Sequence, residues 1–260
     1  MTKHFIEYLL TAALAVMTAQ SCVSKIDPIF DESSANRVEA LAERLNETLT
    51  GAPNGWLLEY YPSSGQYYGG FNVFLSFSEG NKVKVGSEVA GKGKTATSTY
   101  SIYQSAGCVL TLDTYNEVMH YFADPETTGG QGAGFGFEGD FEFNVLDLQD
   151  EKITLKGRKT GSTMTMTPMP VSMSWDDYIV ALKEEESAIS KHTRIRYQTA
   201  DNKYDGRING RTLEIFSEVD GEQVTTSYPF IFNLMGVTFY KPLELGDERI
   251  DGLVYNPDMA

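Results

Sequence analysis

Phe71-Asn-Val-Phe-Leu-Ser-Phe77, then Glu79-Gly-Asn81, then Lys82-Val-Lys-Val85, run almost without a break, and their order decides the fold. Side chains in a strand alternate between two faces, so two alternating apolar runs joined by a glycine-bearing turn specify an antiparallel hairpin. The same signature spreads outward in both directions. Upstream, Trp56-Leu-Leu-Glu-Tyr-Tyr61 reads as a strand ended by Pro62. Downstream, residues 86–97 read as a polar loop, followed by strands at Thr99-Tyr-Ser-Ile-Tyr103 and Val109-Leu-Thr-Leu112. Val118-Met-His-Tyr-Phe122 is expected to be the next strand, closing a hairpin over the turn Asp113-Thr-Tyr-Asn116. A glycine-rich loop spans 125–139, and Asp140-Phe-Glu-Phe-Asn-Val-Leu146, Lys152-Ile-Thr-Leu-Lys156 and 162–167 continue the series.

Two segments break this period. In residues 33–50, Val38, Leu41, Ala42, Leu45 and Leu49 recur at helical spacing, with Gly51 and Pro53 stopping the run. In residues 174–190, Ser174 and Asp177 form a capping box ahead of Trp175, Tyr178, Ile179, Leu182 and Ile189. Each helix has one apolar face to pack on a sheet. Further strands are expected at Arg194-Ile-Arg-Tyr197, Thr212-Leu-Glu-Ile-Phe216, Tyr228-Pro-Phe-Ile-Phe232 and Val237-Thr-Phe-Tyr240. Short strands joined by short turns predict a mainly β (α+β) fold of antiparallel meanders with two packing helices. The order of elements in the two halves suggests a weak internal duplication. The expected divisions are a signal peptide over 1–21, a tether over 22–32, a helix plus β domain over 33–170, and a helix plus a shorter, incomplete β unit over 171–260.

The first residues set an expectation about location. Lys3 and His4 precede an apolar run over 8–19 that suits a secretory signal and is short for a membrane span. Ala19-Gln-Ser-Cys22 resembles a bacterial lipobox, with Ala19 where that motif usually carries leucine, so Cys22 is the expected lipidation site. Each buried acyl methylene contributes about 0.8 kcal/mol, which makes several chains on one residue a lasting anchor. With Cys22 lipidated, Cys108 is the one thiol left and no internal disulfide is expected. The net charge of −15 disfavours nucleic acid and anionic lipid surfaces as partners.

Candidates for chemistry are few. Asp113, Glu117, His120 and Asp124 crowd one segment. On a strand His120 would stand roughly 10 Å beyond the turn carboxylates, so they are read as turn chemistry rather than as a metal or acid–base cluster. Gly130-Gln-Gly-Ala-Gly-Phe-Gly136 has no helix after it and is read as a loop, not a nucleotide fingerprint. Asp124, Glu126, Glu138 and Asp140 flank that loop without EF-hand spacing. No common hydrolase signature occurs, and no metal or other cofactor is expected. Trp56, Tyr60, Tyr61, Tyr67, Tyr68 and Phe71 crowd a short span; most are expected in the core, with Tyr67 and Tyr68 exposed in a glycine-flanked turn. The expected ligand-binding residues are Tyr67, Tyr68, Asp113, Tyr115 and Asn116.

Asn54-Gly-Trp-Leu-Leu-Glu-Tyr-Tyr-Pro62, Gly69-Gly-Phe71, Leu110-Thr-Leu-Asp-Thr-Tyr-Asn116, His120-Tyr-Phe-Ala-Asp-Pro125 and Gly139-Asp-Phe-Glu-Phe143 together resemble the signature blocks of a lipoprotein family of gut-dwelling Bacteroidota, the domain of unknown function four-three-zero-two. That resemblance implies a periplasmic or outer-membrane lipoprotein associated with nutrient uptake, and it transfers no catalytic residues. The expectation is a non-enzymatic binding or accessory module, lipid-anchored in the outer membrane. It would capture a glycan or peptide beside outer-membrane uptake proteins. The alternatives are a hydrolase using dispersed carboxylates and a structural component of an outer-membrane complex.

Overall fold

In the computed structural model the described residues are 34–126, 134–198, 203–219 and 221–256. The expected signal, Cys22 and the tether lie outside them. The alternating runs fold as strands β1 (Trp56–Tyr60), β2 (Phe71–Ser78), β3 (Lys82–Ser87), β4 (Thr95–Gln104), β5 (Cys108–Leu112), β6 (Glu142–Gln149), β7 (Lys152–Gly157) and β8 (Thr163–Pro168). Each pairs with the next, and β8 returns to β1 from Trp56↔Pro168 to Glu59↔Thr165, closing an antiparallel barrel. Closure removes the free edges that an open sheet must protect.

An eight-stranded barrel is narrow enough for side chains to fill it. Leu58, Val73, Leu75, Val85, Leu110, Leu155 and Met166 do so here, all fully buried. Helix α1 (Ser34–Gly51) presents the expected stripe and buries Leu45 and Leu49 against this core. It sits at the end carrying the β4–β5 and β6–β7 turns: Trp56 Nε1 donates to Leu49 O at 3.0 Å and Tyr100 OH to Asn46 Oδ1 at 2.7 Å. Tyr60, Phe71, Phe122 and Phe137 fill the opposite end with tilted and edge-on ring contacts.

That opposite end holds a correction. Val118-Met-His-Tyr-Phe122 is not a strand, and residues 108–125 are not a hairpin; Glu117–His120 forms the short helix α2. Asn116 caps it, its Oδ1 accepting from Val118 N at 3.1 Å and Met119 N at 3.2 Å. Val118, Met119 and Phe122 are the buried positions, which is helical spacing rather than alternation.

The remaining strands form a six-stranded antiparallel sheet in chain order: β9 (Arg194–Gln198), β10 (Lys203–Asn209), β11 (Thr212–Val219), β12 (Glu222–Asn233), β13 (Gly236–Leu245) and β14 (Glu248–Val254). The two halves therefore differ in architecture, eight strands closed against six open. Helix α3 (Trp175–Ile189), capped by Ser174 as expected, buries Tyr178, Ile179, Leu182 and Ile189 on the inner face of this sheet. Phe74, on the outer face of β2, joins the same cluster, with its ring 5.5 Å from both Trp175 and Tyr178. Barrel and sheet lie within one compact unit, Val38–Ala260.

Candidate functional site

The sheet meets the barrel where the β1–β2 loop enters β2. Gly70 N donates to Phe230 O at 2.9 Å, and Asn72 Nδ2 to Phe232 O at 2.9 Å. Gly69 and Gly70 make this approach feasible. A Cβ on Gly69 would lie 2.3 Å from Arg211 Cβ, and one on Gly70 would lie 2.7 Å from Ile231 Cβ and from the Tyr61 ring. Arg211 fills the seam. Its Nη1 donates to Gly70 O at 2.6 Å and Glu88 Oε1 at 2.7 Å, and its Nη2 to Glu186 Oε1 at 2.9 Å. Its guanidinium also lies over Phe71 and Phe232, 4.5 and 5.0 Å from the ring centroids. Burial pushes the Glu88 carboxyl above its ordinary range, and Arg211 pulls it back.

Beside this seam opens a cleft of about 1060 Å³, bounded by Tyr67, Tyr68 and Phe137 on the barrel side and by β11, β12 and β13 on the other. Its shape follows from an interrupted ladder. Strands β12 and β13 pair from Asn233↔Gly236 to Phe230↔Phe239 and no farther. Phe230 N donates to Arg211 O, toward β11, so Pro229 and Ser227 face β13. Continuing the register would set Pro229 against Tyr240 and Pro242 against Ser227. Each proline lacks the N–H that the next rung needs, and the strands part there.

The cleft surface mixes aromatic and other apolar groups with polar ones from Asn209, Thr212, Glu214, Ser227, Tyr240, Lys241 and Glu244. Asn209 Nδ2 and Arg207 Nε both donate to Glu214, and these bonds hold its carboxyl below the ordinary range, as a fixed acceptor. Tyr240 is braced by the Tyr61 ring at 4.7 Å and accepts at its hydroxyl from Thr163 N at 2.9 Å. Tyr67 stands over Gly65 and is 70 % exposed, a free aromatic face at the rim.

The five residues expected to bind ligand do not converge. Tyr67 and Tyr68 border the cleft, although Tyr68 is half-buried because its ring packs edge-on against Phe137 at 5.2 Å. Asp113, Tyr115 and Asn116 sit apart, on the connection from β5 to α2. Asp113 accepts from Ser101 Oγ at 2.7 Å. Tyr115 is 70 % exposed and tilts over His120, which stacks on Phe141. Asn116 is buried, with its amide spent on capping α2 and on Ala96 O and Ser98 Oγ. Asp140 turns inward from the glycine-rich loop and accepts from Lys159 N, Thr160 N and the Thr160 hydroxyl. Cys108 is buried in the barrel, which raises its thiol above the ordinary range.

Arg211, Glu214, Tyr240 and the two prolines escaped the reading from sequence. The signals were present: Asn209-Gly210 is a strong two-residue hairpin dipeptide, and a proline within a strand run marks an interrupted edge.

These features define an antiparallel two-sheet β protein with an open cleft of mixed aromatic and polar surface at the seam of its sheets. The family model described as Domain of unknown function (DUF4302) matches residues 26–257, and the chain belongs to that family. No curated protein and no solved structure matches it.

Proposed function

We propose that this chain is a lipid-anchored binding or accessory module of the bacterial cell envelope, and that its seam cleft holds an extended polar polymer, a glycan or a peptide. The observation that carries this reading is the cleft itself: about 1060 Å³, a polar sheet face, and Tyr67 free at the rim. Ligand sites combine concave apolar area with a few placed polar groups, and an exposed tyrosine offers contact area at low entropic cost. Glu214 serves as a fixed acceptor for hydroxyl or amide donors. The parted edges of β12 and β13 add backbone groups suited to an extended chain. Among the described residues no helix is long and apolar enough to cross a membrane. The attachment proposed is the lipid on Cys22, from the lipobox-like Ala19-Gln-Ser-Cys22.

The test is a glycan and peptide array probed with the wild-type chain and with Tyr67→Ala and Glu214→Gln. Both variants should lose the wild-type signal. A wild-type chain that retains nothing on either array would overturn the binding role. Fractionation of cells carrying Cys22→Ala tests the anchor: the variant should appear in the soluble periplasmic fraction, and continued membrane retention would refute lipidation.

A further inference from the structure

Open sheet edges in folded proteins carry charges, prolines or bulges that keep other strands from pairing with them. The two outer edges of the second sheet follow this rule. Strand β9 carries Arg194 and Arg196, and β14 carries Glu248, Arg249 and Asp251. A further edge lies inside the sheet, along β12 where β13 leaves it, and it breaks the rule. Gln223-Val-Thr-Thr-Ser227 contains no charge and no proline. Its register with β11 runs from Thr212↔Pro229 to Val219↔Glu222 without a bulge. The whole run is exposed.

Strand β11 fixes the backbone directions on this edge. Phe230 N donates to Arg211 O, so alternate residues back from Phe230 point to β11 and those between them point away. The N–H and C=O groups of Gln223, Thr225 and Ser227 and the C=O of Pro229 therefore face the gap. Among the described residues no strand pairs with them. They recur at every second residue over about 20 Å, half of a ladder that an extended peptide completes. The seam cleft opens directly onto this edge, because Thr226, Ser227, Tyr228 and Pro229 line it in succession. Neighbours along a strand point to opposite faces, so they line one cleft together only at the strand's edge. A glycan lacks paired N–H and C=O groups at this pitch, and a polypeptide has them. Val224 and Tyr228 flank the edge on one face of the sheet, and Thr225 and Ser227 on the other.

We propose that the cleft binds polypeptide by strand addition: a segment alternating apolar and polar residues pairs antiparallel with residues 223–229 of β12. Strand addition rests on the cleft being the binding site proposed above, and it narrows the ligand to a peptide held by main-chain bonds.

Amide exchange on the free protein is the first test. Gln223, Thr225 and Ser227 should exchange fast, and Val224, Thr226 and Tyr228 slowly. The probe is fluorescein-labelled Lys-Val-Thr-Val-Thr-Val-Glu, with binding read by anisotropy, and it should protect the fast amides. With its valines beside Val224 and Tyr228, its threonine amides face β12. Methylating those amides should abolish binding, whereas methylating the valine amides should cost far less. Thr225→Pro removes an N–H that β11 does not use, and it should weaken the peptide about fivefold, the worth of one rung of about 1 kcal/mol. The methylated peptides use the wild-type chain, so they decide the matter if the proline variant misfolds. Slow exchange at all of these amides in the free protein, a probe that does not bind, or equal effects of the two methylations would each overturn strand addition. Binding to the glycan array alone would overturn it and leave the cleft a binding site, whereas no binding to either array would overturn both.

Discussion

Arg211 donates to Glu88 at 2.7 Å across the seam of barrel and sheet, with side-chain exposures of only 11 % and 0 %. Removing one member of a buried pair strands the other charge, at a cost of about 3–5 kcal/mol. Arg211→Met should therefore cost several times more in urea unfolding than Glu88→Gln, which keeps a neutral partner in place. Equal, sub-kilocalorie losses from both would show that the pair does not hold the seam.

The same pair predicts a pH dependence. Glu88 binds its proton more tightly in the fold than its ordinary value of 4.5 allows, because burial opposes the charged form. A raised carboxyl makes its greatest contribution to stability below the unfolded value and loses it as pH rises through the folded value. Asp205 and Glu214 run the other way: each is lowered, so each contributes above its ordinary value and loses that contribution as pH falls. Glu88→Gln should flatten the decline in melting temperature above pH 4.5. An unchanged profile would assign that decline to other groups.

Gly70→Ala would drive a methyl group to 2.7 Å from Ile231 and Tyr61. Overpacking of this kind costs about 1–3 kcal/mol. Because the seam also forms one wall of the cleft, ligand affinity should fall along with stability. Thermal melts and array signal measured on one preparation test both, and a variant with wild-type melting would refute the close approach.

Pro229→Thr with Pro242→Thr restores two N–H groups where the β12–β13 ladder stops. The rungs to Tyr240 O and Ser227 O should form, each worth about 1 kcal/mol, and the strands should zip together. The new amides at positions 229 and 242 should be protected from exchange, while ligand binding is lost. Binding that survives intact would mean the parted strands are not used.

Asn116→Ala removes the α2 cap and leaves Ser98 and Ala96 without a partner from this side chain. The expected cost is about 1–3 kcal/mol, with amides of 117–120 exchanging faster. Conversion to serine, another capping residue, should recover part of it. No loss in the alanine variant would place the stability of α2 elsewhere.

Sequence carried the local rules well and the non-local ones poorly. The α1 stripe, the Ser174 cap and most barrel strands are short-range patterns, and each was readable. Residues 118–122 were misread because five mixed apolar and polar positions fit either period, and only the buried set Val118, Met119 and Phe122 separates them. Strands β10 and β14 were missed because their runs are charged and contain Gly206 and Gly252. Both glycines sit where a neighbouring backbone comes too close for a side chain. Of the expected site, Tyr67 and Tyr68 reach the cleft, while Asn116 is consumed by the fold.

By itself the sequence determined a mainly antiparallel β chain with a helix before each set of strands, because period, caps and turns are written within a few residues. Only the tertiary structure decided that eight strands close and six do not, and that Tyr67, Glu214 and Tyr240 line one cleft. Those partners lie far apart along the chain, and they meet because two glycines let the barrel loop reach the sheet while two prolines keep the sheet from closing over the gap.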